Sequence, residues 1–85
     1  MIKYYELSDA RLMSEKNVFS RIEIIPCEAE GYKVGFVEDK DEYSFLKAQR
    51  GNVRYFKTLD SAFNTVKSLG YDECKLVVVS KNEDE

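Results

Sequence analysis

Residues 47–70, KAQRGNVRYFKTLDSAFNTVKSLG, decide the fold. Lys47, Arg50, Arg54 and Lys57 supply four positive charges before the first acid, Asp60. Leu59, Ala62, Phe63, Val66 and Leu69 then recur at the spacing that lines one face of a helix. Thr58 stands where an N-cap hydroxyl accepts a hydrogen bond from a free backbone N–H, and Asp60 sets a negative charge against the positive end of the helix dipole. Gly70 fits the left-handed position after the last turn, with Tyr71 placed to close the cap by an apolar contact. The pattern predicts a helix over 58–69. Gly51 and Asn52 between extended residues signal a two-residue turn, which makes 47–57 a basic hairpin with 53–56 as its returning strand.

Upstream the period changes to two. Residues 2–7, IKYYEL, read as a strand, and Ser8 can cap a short helical turn through Ala10, Arg11, Leu12 and Met13. In VFSRIEIIP (18–26), Ile22 and Ile24 share one face while Arg21, Glu23 and Ile25 share the other, and Pro26 ends the strand or sits at an edge. YKVGFVE (32–38) puts Tyr32, Val34 and Phe36 on one face, and Gly35 within it signals a bulge or a close approach. In 43–49, Tyr43 and Phe45 face one way and Ser44, Leu46 and Ala48 the other. CKLVVVS (74–80) is apolar on both faces and reads as a central strand. The expectation is an α+β fold: an antiparallel-dominated sheet of about five strands with one main helix on one face, a single domain over 1–80, and an acidic tail over 81–85.

The chain has 85 residues, 44% of them hydrophobic, with six Tyr, five Phe and one Pro, which suits an ordered domain with a modest core. It has no His, and its two cysteines, Cys27 and Cys74, lie far apart without CxxC spacing, so no metal site is expected. Lys3, Glu6, Asp9 and Arg11 interrupt the first residues, which do not read as a secretory signal, and no apolar run approaches the ~20 residues that span a bilayer. A cytoplasmic protein without a disulfide is expected. The missing imidazole removes the commonest general base, and the four glycines stand singly rather than as a phosphate loop. No catalytic residue and no cofactor are expected.

Net charge is −3, yet the charges are segregated. Residues 28–46 hold six acids, Glu28, Glu30, Glu38, Asp39, Asp41 and Glu42, against Lys33 and Lys40, whereas 47–57 is net +4. In that basic stretch Lys47, Gln49, Arg50, Asn52, Arg54 and Lys57, with Tyr55 interleaved, combine cations for phosphates, amides for base edges and an aromatic ring, the chemistry of DNA contact. The same charges also suit an edge hairpin kept from aggregating, or a surface for an acidic protein. The acidic residues support a different reading, an inhibitor that presents carboxylates to a host protein. Self-association through a sheet edge could accompany either.

The run 31–70, with GYKVGF, RYFKTLDSAF and a helix closed by Gly70, resembles the three-stranded-sheet-plus-helix DNA-binding domains of tyrosine integrases and plant ethylene-response factors. That resemblance implies that the sheet enters the major groove and that Lys47, Gln49, Arg50, Asn52 and Arg54 make the contacts. SDARLM followed by KAQRGNVRYFKTLDSA is similar to small plasmid- and phage-borne partition or replication accessory proteins of bacterial mobile elements. It implies a regulatory module of a mobile element whose partner is DNA; the chain's acidity points instead to an inhibitor of a host protein such as a defence nuclease complex of the CRISPR or restriction type.

Overall fold

The computed structural model describes residues 3–39, 42–48, 52–71 and 75–76. Its elements are β1 (Lys3–Tyr5), α1 (Leu7–Glu15), β2 (Arg21–Cys27), β3 (Gly31–Val37), β4 (Tyr43–Leu46), α2 (Leu59–Ser68) and β5 (Lys75–Leu76). The strands form one sheet in the order β1-β4-β3-β2-β5. The fold is α+β.

The middle of the sheet follows from the period-two pattern. β2 and β3 form an antiparallel hairpin from Arg21 opposite Val37 to Cys27 opposite Gly31, and β4 adds to β3 with Phe45 opposite Gly35. The ladder runs through Gly35 without a bulge. Its missing side chain instead admits its neighbours, since a Cβ there would meet Ile25 at 3.2 Å and the Phe45 ring at 3.4 Å. Pro26 lies within β2, opposite Tyr32, rather than ending it. The N–H and C=O of Tyr32 both bond Phe56 on the far side, so this pair exchanges no ladder bonds and the missing proline donor is not needed.

The outer strands depart from the antiparallel expectation. β1 pairs with β4 in parallel, and β5 pairs with β2 in parallel, so the sheet is mixed. The strand expected at the centre lies at an edge, where its described part is two residues long. Crossover geometry explains this. A chain that leaves β4, crosses the sheet as α2 and returns lands parallel to the outermost strand still available, β2.

Among the described residues there are two helices, where one main helix and a short helical turn are expected. Residues 7–15, expected as a short turn capped by Ser8, form a full helix that begins straight after β1 at Glu6, which makes no side-chain cap. Ser8 lies inside it. Ala10, at no exposure, anchors this helix in the core, and Leu7 and Met13 pack beside it. α2 matches its pattern closely: Thr58 Oγ1 accepts from the Ser61 N–H at 3.1 Å, and Gly70 adopts φ +99°. Both helices join one core with Ile22, Ile24, Val34, Phe36, Leu46 and Phe56. Phe19 stacks on Phe36 at 4.6 Å between ring centres, which joins the β2 approach to the sheet centre. Because neighbouring residues alternate, the other face carries Tyr4, Arg21, Glu23, Ile25, Lys33, Gly35, Tyr43 and Phe45.

Candidate nucleic-acid interface

The basic stretch leaves the sheet and comes back to it. Extending the β4 register beyond Phe45 opposite Gly35 would bring Ala48 opposite Tyr32, but Phe56 occupies that place, giving 2.7 Å and accepting 2.8 Å hydrogen bonds with Tyr32. The described residues 47–48 and 52–55 are therefore the two arms of an excursion between two rungs of one column. It is closed by the pairing of Lys47 with Val53 and by the Ala48 N–H bonded to the Asn52 carbonyl at 2.8 Å. Lys47, rather than Arg50 as a two-residue turn at Gly51-Asn52 implies, is the residue paired with Val53; Arg50 and Gly51 lie outside the described residues, and 53–56 forms two isolated bridges rather than a strand. The burial of Phe56, 5% exposed, drives the return. The close fit is enforced at Gly31, with φ +109°, where a Cβ would stand 2.1 Å from the Phe56 carbonyl oxygen.

The excursion holds several of the expected contact residues together. Lys47 and Arg54 line a shallow groove of about 430 Å³ with Ala48, Glu6 and Leu7, beside the start of α1. Arg54 and Lys57 are exposed, as is Asn52, and the Arg54 guanidinium lies 4.7 Å from the Phe56 ring centre, which limits its wandering. Gln49 and Arg50 lie outside the described residues.

The acidic set is divided. Glu28 and Glu30 lie in the β2–β3 turn, at the same end of the sheet as the excursion, while Glu38, Asp39 and Glu42 lie at the opposite end, about 20 Å away along β3. Glu38 is engaged in the fold: it accepts from the Tyr5 hydroxyl at 3.0 Å and from the Ser44 hydroxyl at 3.4 Å. Burial, with Glu38 adding to it, pushes the Tyr5 phenol above its ordinary value. Asp41 lies outside the described residues, as do Cys74 and the tail 81–85. Cys27 is a half-buried free thiol whose Sγ donates to the Ile25 carbonyl at 3.6 Å.

A second group, which charge alone did not single out, lies on the sheet face away from the helices. Tyr4, Tyr43 and Tyr55 are 48%, 36% and 42% exposed. The Phe45 ring sits between two of them, 6.4 Å from Tyr4 and 6.1 Å from Tyr43, nearly parallel to the latter at 16°. Lys33 Nζ lies 4.5 Å above the Phe45 ring centre. Tyr55 alternates with the buried Phe56 and so points to this face, where burial, Cys27, Glu30 and Tyr4 raise its phenol. Glu23, only 3% exposed, is held by Arg21 Nε at 2.7 Å and by the Tyr43 hydroxyl at 2.9 Å. The signal that could have found this group is the parity of Tyr4, Tyr43 and Phe45 against the core residues beside them.

Comparison of the chain with family models, with curated proteins and with solved structures gives no match. Among the described residues, no helix is long and apolar enough to cross a membrane. The site is read from its own residues.

Proposed function

We propose that this chain is a non-catalytic DNA-binding module of a regulatory kind, with Lys47, Arg54 and Lys57 as its phosphate contacts. The observation that carries the reading is the bracing of the described arms of the excursion, 47–48 and 52–55: the Lys47 N–H bonds the Tyr5 carbonyl, the Ala48 N–H the Asn52 carbonyl and the Arg54 N–H the Leu46 carbonyl. A cation on a braced segment loses less conformational entropy on meeting a phosphate than one on a loose loop. Asn52 adds an amide that can donate and accept at a base edge. Gln49 and Arg50, from the same segment, belong to this reading on sequence grounds.

The acidic-inhibitor alternative receives less support, since its carboxylates stand at two ends of the sheet and Glu38 is committed to Tyr5 and Ser44. The test is fluorescence anisotropy with a labelled random 20-base-pair duplex over a salt series, for the wild type and for Lys47→Glu with Arg54→Glu. Expected is binding that weakens steeply with salt and is lost in the charge-reversed protein. Wild-type binding that is flat with salt, or unchanged by the reversal, overturns the reading.

A further inference from the structure

We infer that the open face of the sheet is a stacking platform for single-stranded nucleic acid, with Tyr4, Phe45, Tyr43 and Tyr55 as its rings. The inference rests on the DNA-binding reading above and specifies the form of nucleic acid the module prefers. Both helices pack on the opposite face, and on the open one Tyr4, Tyr43 and Tyr55 stay 48%, 36% and 42% exposed while Val37 and Gly35 are buried in the sheet beneath. An aromatic side chain left in water on a small domain exposes apolar surface for which the fold has no use.

The spacing suits bases. Ring centres at 6.1 and 6.4 Å place Tyr43, Phe45 and Tyr4 in a row crossing from β4 to β1, a step that splayed successive nucleotides can follow. Gly35 forms part of the floor, because its missing side chain lets the Phe45 and Tyr43 rings close over the backbone within 3.4 and 3.6 Å of where a Cβ would stand. Lys33 covers the Phe45 ring in the free protein. An incoming base takes that position, and the released ammonium is then free to meet the backbone phosphate.

Charge selects this occupant over an apolar protein segment. Arg21 pairs with Glu23 at 2.7 Å, and the Lys33 ammonium lies directly over the Phe45 ring, while Glu30 acts on Tyr55. Tyr55 links the platform to the excursion, since Arg54 and Asn52 lie one and three residues before it in the chain. A duplex cannot use these rings, because its bases are already stacked on one another.

The test compares fluorescein-labelled dT20 with the random 20-base-pair duplex, for the wild type and for Tyr4→Ala with Tyr55→Ala, two exposed positions whose loss leaves the core intact. Because the chain has no Trp and six Tyr, quenching of tyrosine emission by unlabelled dT20 reports stacking directly. Expected are tighter binding of dT20 than of duplex, quenching of tyrosine emission, and a roughly tenfold or greater weakening of dT20 binding in the variant with duplex binding unchanged. If the variant binds dT20 as the wild type does, or dT20 binds without quenching, the platform is overturned while duplex binding keeps the excursion reading standing. If neither nucleic acid binds, the DNA reading itself fails and takes the platform with it. Sedimentation that shows a wild-type dimer broken by the same two substitutions overturns the platform in favour of a second copy of this chain.

Discussion

The two faces of the sheet solve the same local problem in different ways. On the covered face Tyr5 donates to Glu38, and on the open face Tyr43 donates to Glu23, at 3.0 and 2.9 Å. Both phenols are raised above their ordinary value. For Tyr5 the main cause is burial, whereas for Tyr43 it is the hydrogen bond to Glu23. Burial leads for the covered pair and the hydrogen bond leads for the open one, although Glu23 itself is only 3% exposed. What differs is the surrounding residues: Ile22, Ile24, Val34 and Phe36 beneath the helices, against Lys33, Phe45 and the tyrosines in the open. A face built for folding is aliphatic and tightly packed. A face with rings, a cation and an exposed arginine paired with a buried carboxylate has surplus chemistry.

If this division of labour is right, substitutions on the covered face should cost far more stability than those on the open one. The largest loss is expected for Phe36→Ala, which removes a fully buried ring stacked on Phe19 and should cost about 3–5 kcal/mol, read from urea unfolding. For a domain of this size that is a large part of the total stability. Gly31→Ala comes next, at about 1–3 kcal/mol, since it forces a side chain onto a left-handed backbone and into the Phe56 carbonyl. Gly70→Ala, with φ +99° but open space around it, should cost less, about 1 kcal/mol. Equal losses at the two glycines would mean that the Phe56 return is looser than its hydrogen bonds imply.

The tyrosine pairs sharpen the contrast through pH. The protonated phenol is the form that donates to the carboxylate, and its folded-state value lies above the ordinary 10.0 for both Tyr5 and Tyr43. Their contribution is therefore complete below pH 10, where the unfolded tyrosine begins to ionise, and is lost as pH rises through the higher folded value. Tyr43→Phe should cost about 1 kcal/mol at neutral pH, and the gap to wild type should close in alkaline solution. Tyr5→Phe should behave in the same direction. A gap that stays constant from pH 8 to pH 11 would remove the hydrogen bonds from the explanation. The smallest effect belongs to Tyr4→Ala, expected within about 0.5 kcal/mol of wild type by urea unfolding, because its ring stands in solvent. A loss comparable to that of Phe36→Ala would show that the open face is a second core.

The elements were legible where a single periodicity governed them. The stripe of Leu59, Ala62, Phe63, Val66 and Leu69, with Thr58 before it and Gly70 after it, is a local code, and α2 follows it within a residue at each end. The alternations in β2, β3 and β4 assigned their faces correctly for the same reason. α1 was less legible because its pattern is weak: among its nine residues only Ala10 is buried, and no side chain caps its start. Of the candidate site, the sequence showed the run of cations and the acidic loops; that Lys47 and Arg54 line one groove, and that the described acids stand at two ends of the sheet, depends on strand pairing.

By itself, then, the sequence determined the strand faces, the second helix with both of its caps, and the segregation of charge, because each depends on residues a few positions apart. Strand order, the parallel edges, the return of Phe56 beside Tyr32 and the choice of which face the helices cover were decided only in three dimensions. Two amphipathic helices can cover one side of a sheet this small, and they cover the side whose aliphatic residues gain most from leaving water. The rings and Lys33 were left outside, and only the assembled sheet makes neighbours of Tyr4, Tyr43 and Phe45.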